Sequence, residues 1–180
     1  MYLKLDDNMI EKLGKENEQI DSELASLVDE AFKLLVEKDL TVGFAESATG
    51  GMLSKLFTDR PGASRCYHGS VTSYVNSVKN GVLGVRQEDL DEYGAVSWQV
   101  AAQMADGARK LLGADIALSD TGIAGPGASE DKEEGLFYFG LSDAEKTLTK
   151  KEVFRGTRDQ NRKQASRLVL AWLCEYLNAL

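Results

Sequence analysis

A chain of 180 residues with 43% hydrophobic and 28% charged residues can bury one core and is too short for two comfortable domains. Its formal charge of −8 excludes nucleic acid as a bulk partner, because such binding is driven by Lys and Arg neutralising phosphates. No apolar run is long enough for a bilayer span, and one histidine (His68) with two separated cysteines (Cys66 and Cys174) supplies neither a zinc set nor a disulfide framework. The expectation is a soluble, cytoplasmic protein with no metal, no membrane and no nucleic acid.

Residues 1–20 are polar and weakly patterned. They read as an arm or short extra helix ahead of a single domain over 21–180, and they are too polar for a signal peptide. From Asp21, the positions Leu24, Leu27, Val28, Ala31, Leu34 and Leu35 recur at helical spacing towards Lys38. Thr41 to Ala45 is a short apolar strand, and Gly50-Gly51 opens a helix through Phe57. After a turn at residues 59–62, Gly69 to Val75 reads as a strand. Ser97 caps a helix carrying Val100, Ala101, Met104, Ala105, Ala108 and Leu111 on one face, closed by Gly113. Asp115 to Ser119 is a buried strand running into TGIAGPG. Leu136 to Leu141 and Thr147 to Phe154 form a hairpin, and a last helix covers Thr157 to Leu177. Helices interleaved with strands and one late antiparallel pair predict a three-layer α/β/α sandwich with a mixed, mostly parallel sheet.

Three loops follow strands, where open α/β sheets place ligands. In Ala45-Glu46-Ser47-Ala48-Thr49-Gly50-Gly51, a serine precedes a helix N-terminus, whose N–H groups favour an anion or a developing oxyanion. Taken alone, this loop fits a helix cap better than a nucleophile. In Ser73-Tyr74-Val75-Asn76-Ser77-Val78-Lys79, a lysine just past an apolar strand offers the base that a serine needs when histidine is scarce. A solvated surface lysine is the competing reading. In Thr121 to Ser129, glycines at 122, 125 and 127 let backbone approach a ligand and cradle a phosphate, although a plain long turn would look the same. Arg155, Arg158, Arg162 and Lys163 crowd a helix start, where cations oppose the dipole. Anion binding and pairing with the acidic surface explain that crowding equally well.

Together the stretches Ala45–Gly51 (AESATGG), Ser73–Lys79, Gly94–Ser97 (GAVS), Thr121–Gly127 (TGIAGPG) and Phe154–Arg162 resemble the CinA C-terminal family, the nicotinamide mononucleotide deamidases also called PncC. The resemblance runs from about Leu24 to the C-terminus. It implies metal-free, cofactor-free hydrolysis of the carboxamide of nicotinamide mononucleotide to nicotinate mononucleotide and ammonia. It places the family nucleophile on Ser47 and the general base on Lys79. It implies substrate contacts at Glu46, Thr49, Gly50, Gly51, Tyr74, Asn76, Thr121, Gly122, Gly125 and Gly127, with Arg158 and Arg162 as phosphate partners. The implied partners are a small-molecule nucleotide and further copies of the chain, as a homodimer or higher homo-oligomer. Many family members carry a larger N-terminal domain, and this chain reads as a version without it. Departures from the family pattern fall at Ala48, Val75, Ser77, Trp98 and Glu133-Glu134. They keep open a second reading, an inactive or re-specialised paralogue that binds a nucleotide or a partner.

Overall fold

The computed structural model describes residues 7–127 and 131–180. Among these residues, five strands form one sheet in the order β2-β1-β3-β4-β5: β1 Val42–Glu46, β2 Tyr67–Thr72, β3 Ile116–Gly122, β4 Leu136–Ser142 and β5 Thr147–Val153. β1 pairs in parallel with both β2 and β3, while β4 is antiparallel to β3 and to β5. Four strands therefore run one way and β4 runs against them, which is the mixed sheet expected from the sequence.

Among the described residues, six α-helices cover the two faces: α1 Asp7–Glu37, α2 Met52–Thr58, α3 Asn76–Leu83, α4 Gln87–Tyr93, α5 Trp98–Leu112 and α6 Arg158–Asn178. Strand alternation sorts side chains by size between those faces. Phe44, Ile116, Leu118, Phe137 and Phe139 enter the larger core, shared with α1, α2 and α6. The intervening Ala45 and Ala117 face a smaller core with Val100, Met104 and Ala108 of α5. Small residues on that side let α5 lie close to the sheet. A Cβ on Gly140 would meet the Ala101 carbonyl oxygen at 2.4 Å.

α1 extends further than the sequence pattern indicated. The helix expected from Asp21 already begins at Asp7, so residues 7–20 continue it as one rod. Ile20, Leu24, Val28, Ala31 and Leu35 form its buried stripe, laid along α6. α6 starts where the sequence placed it: Thr157 is its N-cap, and Gln160 completes a capping box.

The strand expected over Gly69 to Val75 stops at Thr72. The Ser73 N–H donates to the Glu46 carbonyl at 2.8 Å, and the chain then turns. Val75 becomes the N-cap of α3, accepting from the N–H groups of Val78 and Lys79. Lys79 thus rides on a helix instead of trailing a strand. Helices α3 and α4 are too short to show a repeating apolar stripe, which is why periodicity did not reveal them.

The connection from β1 to β2 passes over one face through α2, and that from β2 to β3 passes over the other through α3, α4 and α5. The loops leaving β1 and β3 therefore diverge from neighbouring strands. A crevice at the C-terminal ends of such strands is the expected ligand position in an open α/β sheet.

Lys79 is held in place by the seat of α3 on α5, and Gly107 makes that seat: a Cβ there would lie 1.9 Å from the Leu83 carbonyl oxygen. Gly107→Ala is expected to lower the unfolding free energy by about 1–3 kcal/mol, through overpacking that pushes the two helices apart. Urea denaturation of the variant beside the parent protein measures it. An unchanged midpoint would contradict the close approach.

Candidate active site

A cleft of about 380 Å³ opens at the ends of β1 and β3. Ser47 and Ala48 line it from the β1 loop, Tyr74, Asn76 and Lys79 from the start of α3, Ala95 and Val96 from the segment before α5, and Thr121 to Gly127 from the β3 loop. Arg158, the first residue of α6, closes one side.

The serine and the lysine meet. Lys79 Nζ lies 3.0 Å from Ser47 Oγ, and both residues are buried, Lys79 to 1% exposure. The same nitrogen donates to the carbonyl oxygens of Ser73 at 2.7 Å and Tyr74 at 3.3 Å. Those carbonyls belong to the turn that ends β2, so the turn that cut the strand short also orients the amine.

Behind the serine, two carboxylates hold the loop from inside the protein. Glu46 Oε2 accepts from the N–H groups of Gly51 at 2.9 Å and Leu53 at 3.0 Å, while Oε1 accepts from Ser54 N–H at 2.9 Å and from the Ser70 hydroxyl at 3.0 Å. Asp120, the fully buried fifth residue of β3, accepts from Ser47 N–H at 3.4 Å and Thr49 N–H at 3.0 Å. Thr49 Oγ1 stands between the two acids, 2.9 Å from Glu46 and 2.5 Å from Asp120. A hydroxyl has one proton to give, so both short contacts are satisfied when one acid is itself protonated. Burial, reinforced by the Glu46 charge, pushes the Asp120 carboxyl up to about 6.

This arrangement corrects part of the expected site. The N-terminus of α2 is not an open anion site, because the Glu46 carboxylate already accepts the N–H groups of Gly51, Leu53 and Ser54. Glu46 and Thr49 are buried supports behind the loop, and Gly50 and Gly51, at φ of +62° and +95°, shape its turn. None of the four lines the cleft. Nor does Arg162, which donates to the carbonyl oxygens of Ala48 at 3.1 Å and Thr49 at 2.6 Å and so clamps the serine loop to α6.

The β3 loop does line the cleft at Thr121, Gly122, Gly125 and Gly127. Its N–H groups are only partly available for a ligand. Gly127 N–H donates to Glu134 Oε2 at 2.7 Å, and Ile123 N–H donates to the Leu136 carbonyl at 2.9 Å. Thr121 Oγ1 donates to the Ala95 carbonyl at 2.8 Å, tying the β3 loop to the segment before α5. Ala128 and Ser129, the end of the expected cradle, lie outside the described residues.

The basic group divides. Arg155 pairs with Glu133 at 2.9 Å and Lys163 with Asp21 at 2.8 Å, which is the surface-pairing alternative. Arg158 instead reaches over the cleft, donating to the Gly125 carbonyl at 2.6 Å and to the exposed Tyr74 hydroxyl at 3.2 Å.

Of the positions that depart from the family pattern, Ala48 alone lines the cleft. Val75, Ser77 and Trp98 are exposed outside it, and Glu133 and Glu134 engage Arg155 and the glycine loop. Asp120 escaped the sequence reading altogether. The signal for it was a carboxylate inside an apolar strand, one residue before the glycine-rich loop. Among the described residues no group of His, Cys, Asp and Glu gathers to hold a metal, and no helix is long and apolar enough to cross a membrane.

Comparison with known proteins agrees with this architecture. A CinA-like protein of Leptospira interrogans is 50% identical over 140 residues, covering 77% of this chain and 34% of its own length. The chain spans about a third of the length of the curated relatives it matches. The crystal structure of a competence-damaged protein (CinA) superfamily member from Klebsiella pneumoniae superposes with a TM-score of 0.85 at 30% identity, covering 87% of this chain and 99% of that one. A competence/damage inducible protein from Agrobacterium tumefaciens gives 0.82 at 33% identity, covering 87% and 96%. The family model for the CinA C-terminal domain matches residues 24–177, which take in the sheet, the cleft and both loops that build it, and the chain therefore belongs to the CinA C-terminal domain family.

Proposed function

We propose that this protein hydrolyses the carboxamide of nicotinamide mononucleotide to nicotinate mononucleotide and ammonia, with Ser47 as nucleophile and Lys79 as general base. The observation that carries the reading is the 3.0 Å contact between Lys79 Nζ and Ser47 Oγ inside the cleft. A side chain that brings an amine to 1% exposure gives up favourable hydration, and a catalytic task accounts for that placement.

The geometry supports the following chemistry. Two N–H groups of the amine are directed at the Ser73 and Tyr74 carbonyls, and a neutral nitrogen presents its lone pair to the Ser47 hydroxyl. Ser47 Oγ attacks the carboxamide carbon as Lys79 takes the hydroxyl proton. The tetrahedral intermediate collapses with breakage of the C–N bond, and Lys79 returns that proton to the departing nitrogen, which leaves as ammonia. The remaining ester is cleaved by water. Lys79 accepts the water proton and passes it back to Ser47 Oγ, releasing the carboxylate product.

For the mononucleotide phosphate, Arg158 is the cleft guanidinium, and the uncapped start of α3 at Asn76 lies on the same rim. Ser47 and Lys79 sit deeper, which suits a ligand held by its phosphate at the mouth with its amide turned inwards. A module that only bound nucleotides would have no use for the buried serine–lysine contact.

Lys79→Arg is expected to abolish ammonia release from nicotinamide mononucleotide, because a guanidinium stays charged and cannot take the serine proton. Ser47→Ala should also lose turnover while still binding the mononucleotide in calorimetry. Near-full ammonia release by either variant would reject the serine–lysine assignment. Arg158→Ala should raise KM for the mononucleotide by about tenfold or more, matching the loss of a charge-assisted phosphate contact. It should leave the weak turnover of the phosphate-free nucleoside unchanged. An equal loss on both substrates would move the phosphate elsewhere.

A further inference from the structure

Five N–H groups of the serine loop and the start of α2 are consumed from behind. Those of Ser47 and Thr49 go to Asp120, and those of Gly51, Leu53 and Ser54 go to Glu46. On the cleft side stands Ala48. It is 7% exposed, it lines the cleft, and its N–H has no acceptor among the described residues. A buried backbone donor without an acceptor is rare and wants an explanation. Arg162 adds to the pattern by drawing the carbonyl oxygens of Ala48 and Thr49 towards α6.

Both flanking N–H groups point to one buried carboxylate, and the intervening peptide is gripped by its carbonyl. Ala48 directly follows the proposed nucleophile. When a serine attacks an amide, the carbonyl oxygen becomes an anion within a few ångströms of that N–H. A donor fixed in advance at this point is the largest single aid such a reaction receives.

On the reading that Ser47 is the nucleophile, we propose that the Ala48 backbone N–H is an oxyanion donor and that Asp120 is the positioning residue that turns it into the cleft. Asp120 does not touch the substrate. It acts by pulling the N–H groups on either side of Ala48 inwards, so the loop arrives at the reaction already shaped. Its contacts to Thr49 and Ser47 can be separated by substitution. In Asp120→Asn the amide oxygen can still accept from Thr49 N–H while its NH₂ donates to Thr49 Oγ1. The oxygen that faced Ser47 N–H is then replaced by a donor.

The product provides the direct test, because a carboxylate oxygen of nicotinate mononucleotide occupies the place of the oxyanion. In the ¹⁵N-labelled parent protein, titration with nicotinate mononucleotide should move the Ala48 amide proton downfield, more than its neighbours in the loop. In Asp120→Asn that shift should be lost, and kcat for ammonia release should fall about 100-fold, the size seen when one oxyanion donor is removed. KM for nicotinamide mononucleotide and the Kd of the product should stay within about threefold, since the phosphate contacts are untouched. A general loosening of the loop would raise KM and Kd together with the fall in kcat, and that result would overturn the assignment. So would an Ala48 amide that stays still while other cleft amides move, a measurement needing no variant. If Ser47→Ala keeps its turnover, the nucleophile reading itself has failed. If Ser47→Ala is dead and Asp120→Asn is fully active, only the role given to Asp120 has failed.

Discussion

Glu46 and Asp120 stand on neighbouring parallel strands, and the loop after β1 is hung from them. Glu46 takes up the first N–H groups of α2, and Asp120 takes those of Ser47 and Thr49. Two acids buried this close would repel strongly if both were ionised. Thr49 Oγ1 between them, and an Asp120 carboxyl raised to about 6, show how the pair is tolerated. What results is a loop with little freedom. If Ser47 acts as the proposed nucleophile, its tethered loop loses less entropy on reaching a reactive geometry than a mobile loop would.

The lysine that faces it is fixed by a separate set of contacts. α3 is seated on α5 by the missing side chain at Gly107, and α5 is drawn close to the sheet by Ala45, Ala117 and Gly140. The opposite face of the sheet carries the large aromatic residues, with Phe44 against Phe57 and Phe137 stacked on Phe139. The asymmetry of the two cores has a consequence for the cleft: the thin side brings a helix-borne amine within hydrogen-bond range of a strand-end hydroxyl. Alanine and glycine on that side are close-approach residues as much as core filler.

Arginines at the start of α6 connect the cleft to the rest of the molecule. Arg162 holds the serine loop by two carbonyls, and Arg158 bridges the glycine loop and Tyr74 across the mouth. Each guanidinium opposes the helix dipole behind it. The carbonyl acceptors offset that opposition, and in Arg158 the charge remains beside an open cleft in a chain of net charge −8. On the proposed reading, local placement of one cation matters more than the overall charge for an anionic ligand.

Much of this was legible in the order of residues. Apolar periodicity marked α1, α5 and α6, alternation and short apolar runs marked the strands, and Ser97 announced α5 as its cap. The resemblance of those stretches to the CinA C-terminal family paired Ser47 with Lys79, and the scarcity of histidine agreed with that pairing. Local patterns did not show which side of a loop each group faces. Glu46, Thr49, Gly50, Gly51 and Arg162 belong to the right stretches and yet stand behind the serine loop, because their partners are N–H groups and carbonyls brought near only by folding. Asp120 is more than seventy residues from the loop it holds, and Glu134 reaches Gly127 around a turn. Periodicity and caps are set by neighbours along the chain, so the sequence by itself determined most of the elements and the stretches that build the candidate site. Direction, burial and proton sharing depend on contacts between distant strands, and only the tertiary structure decided those.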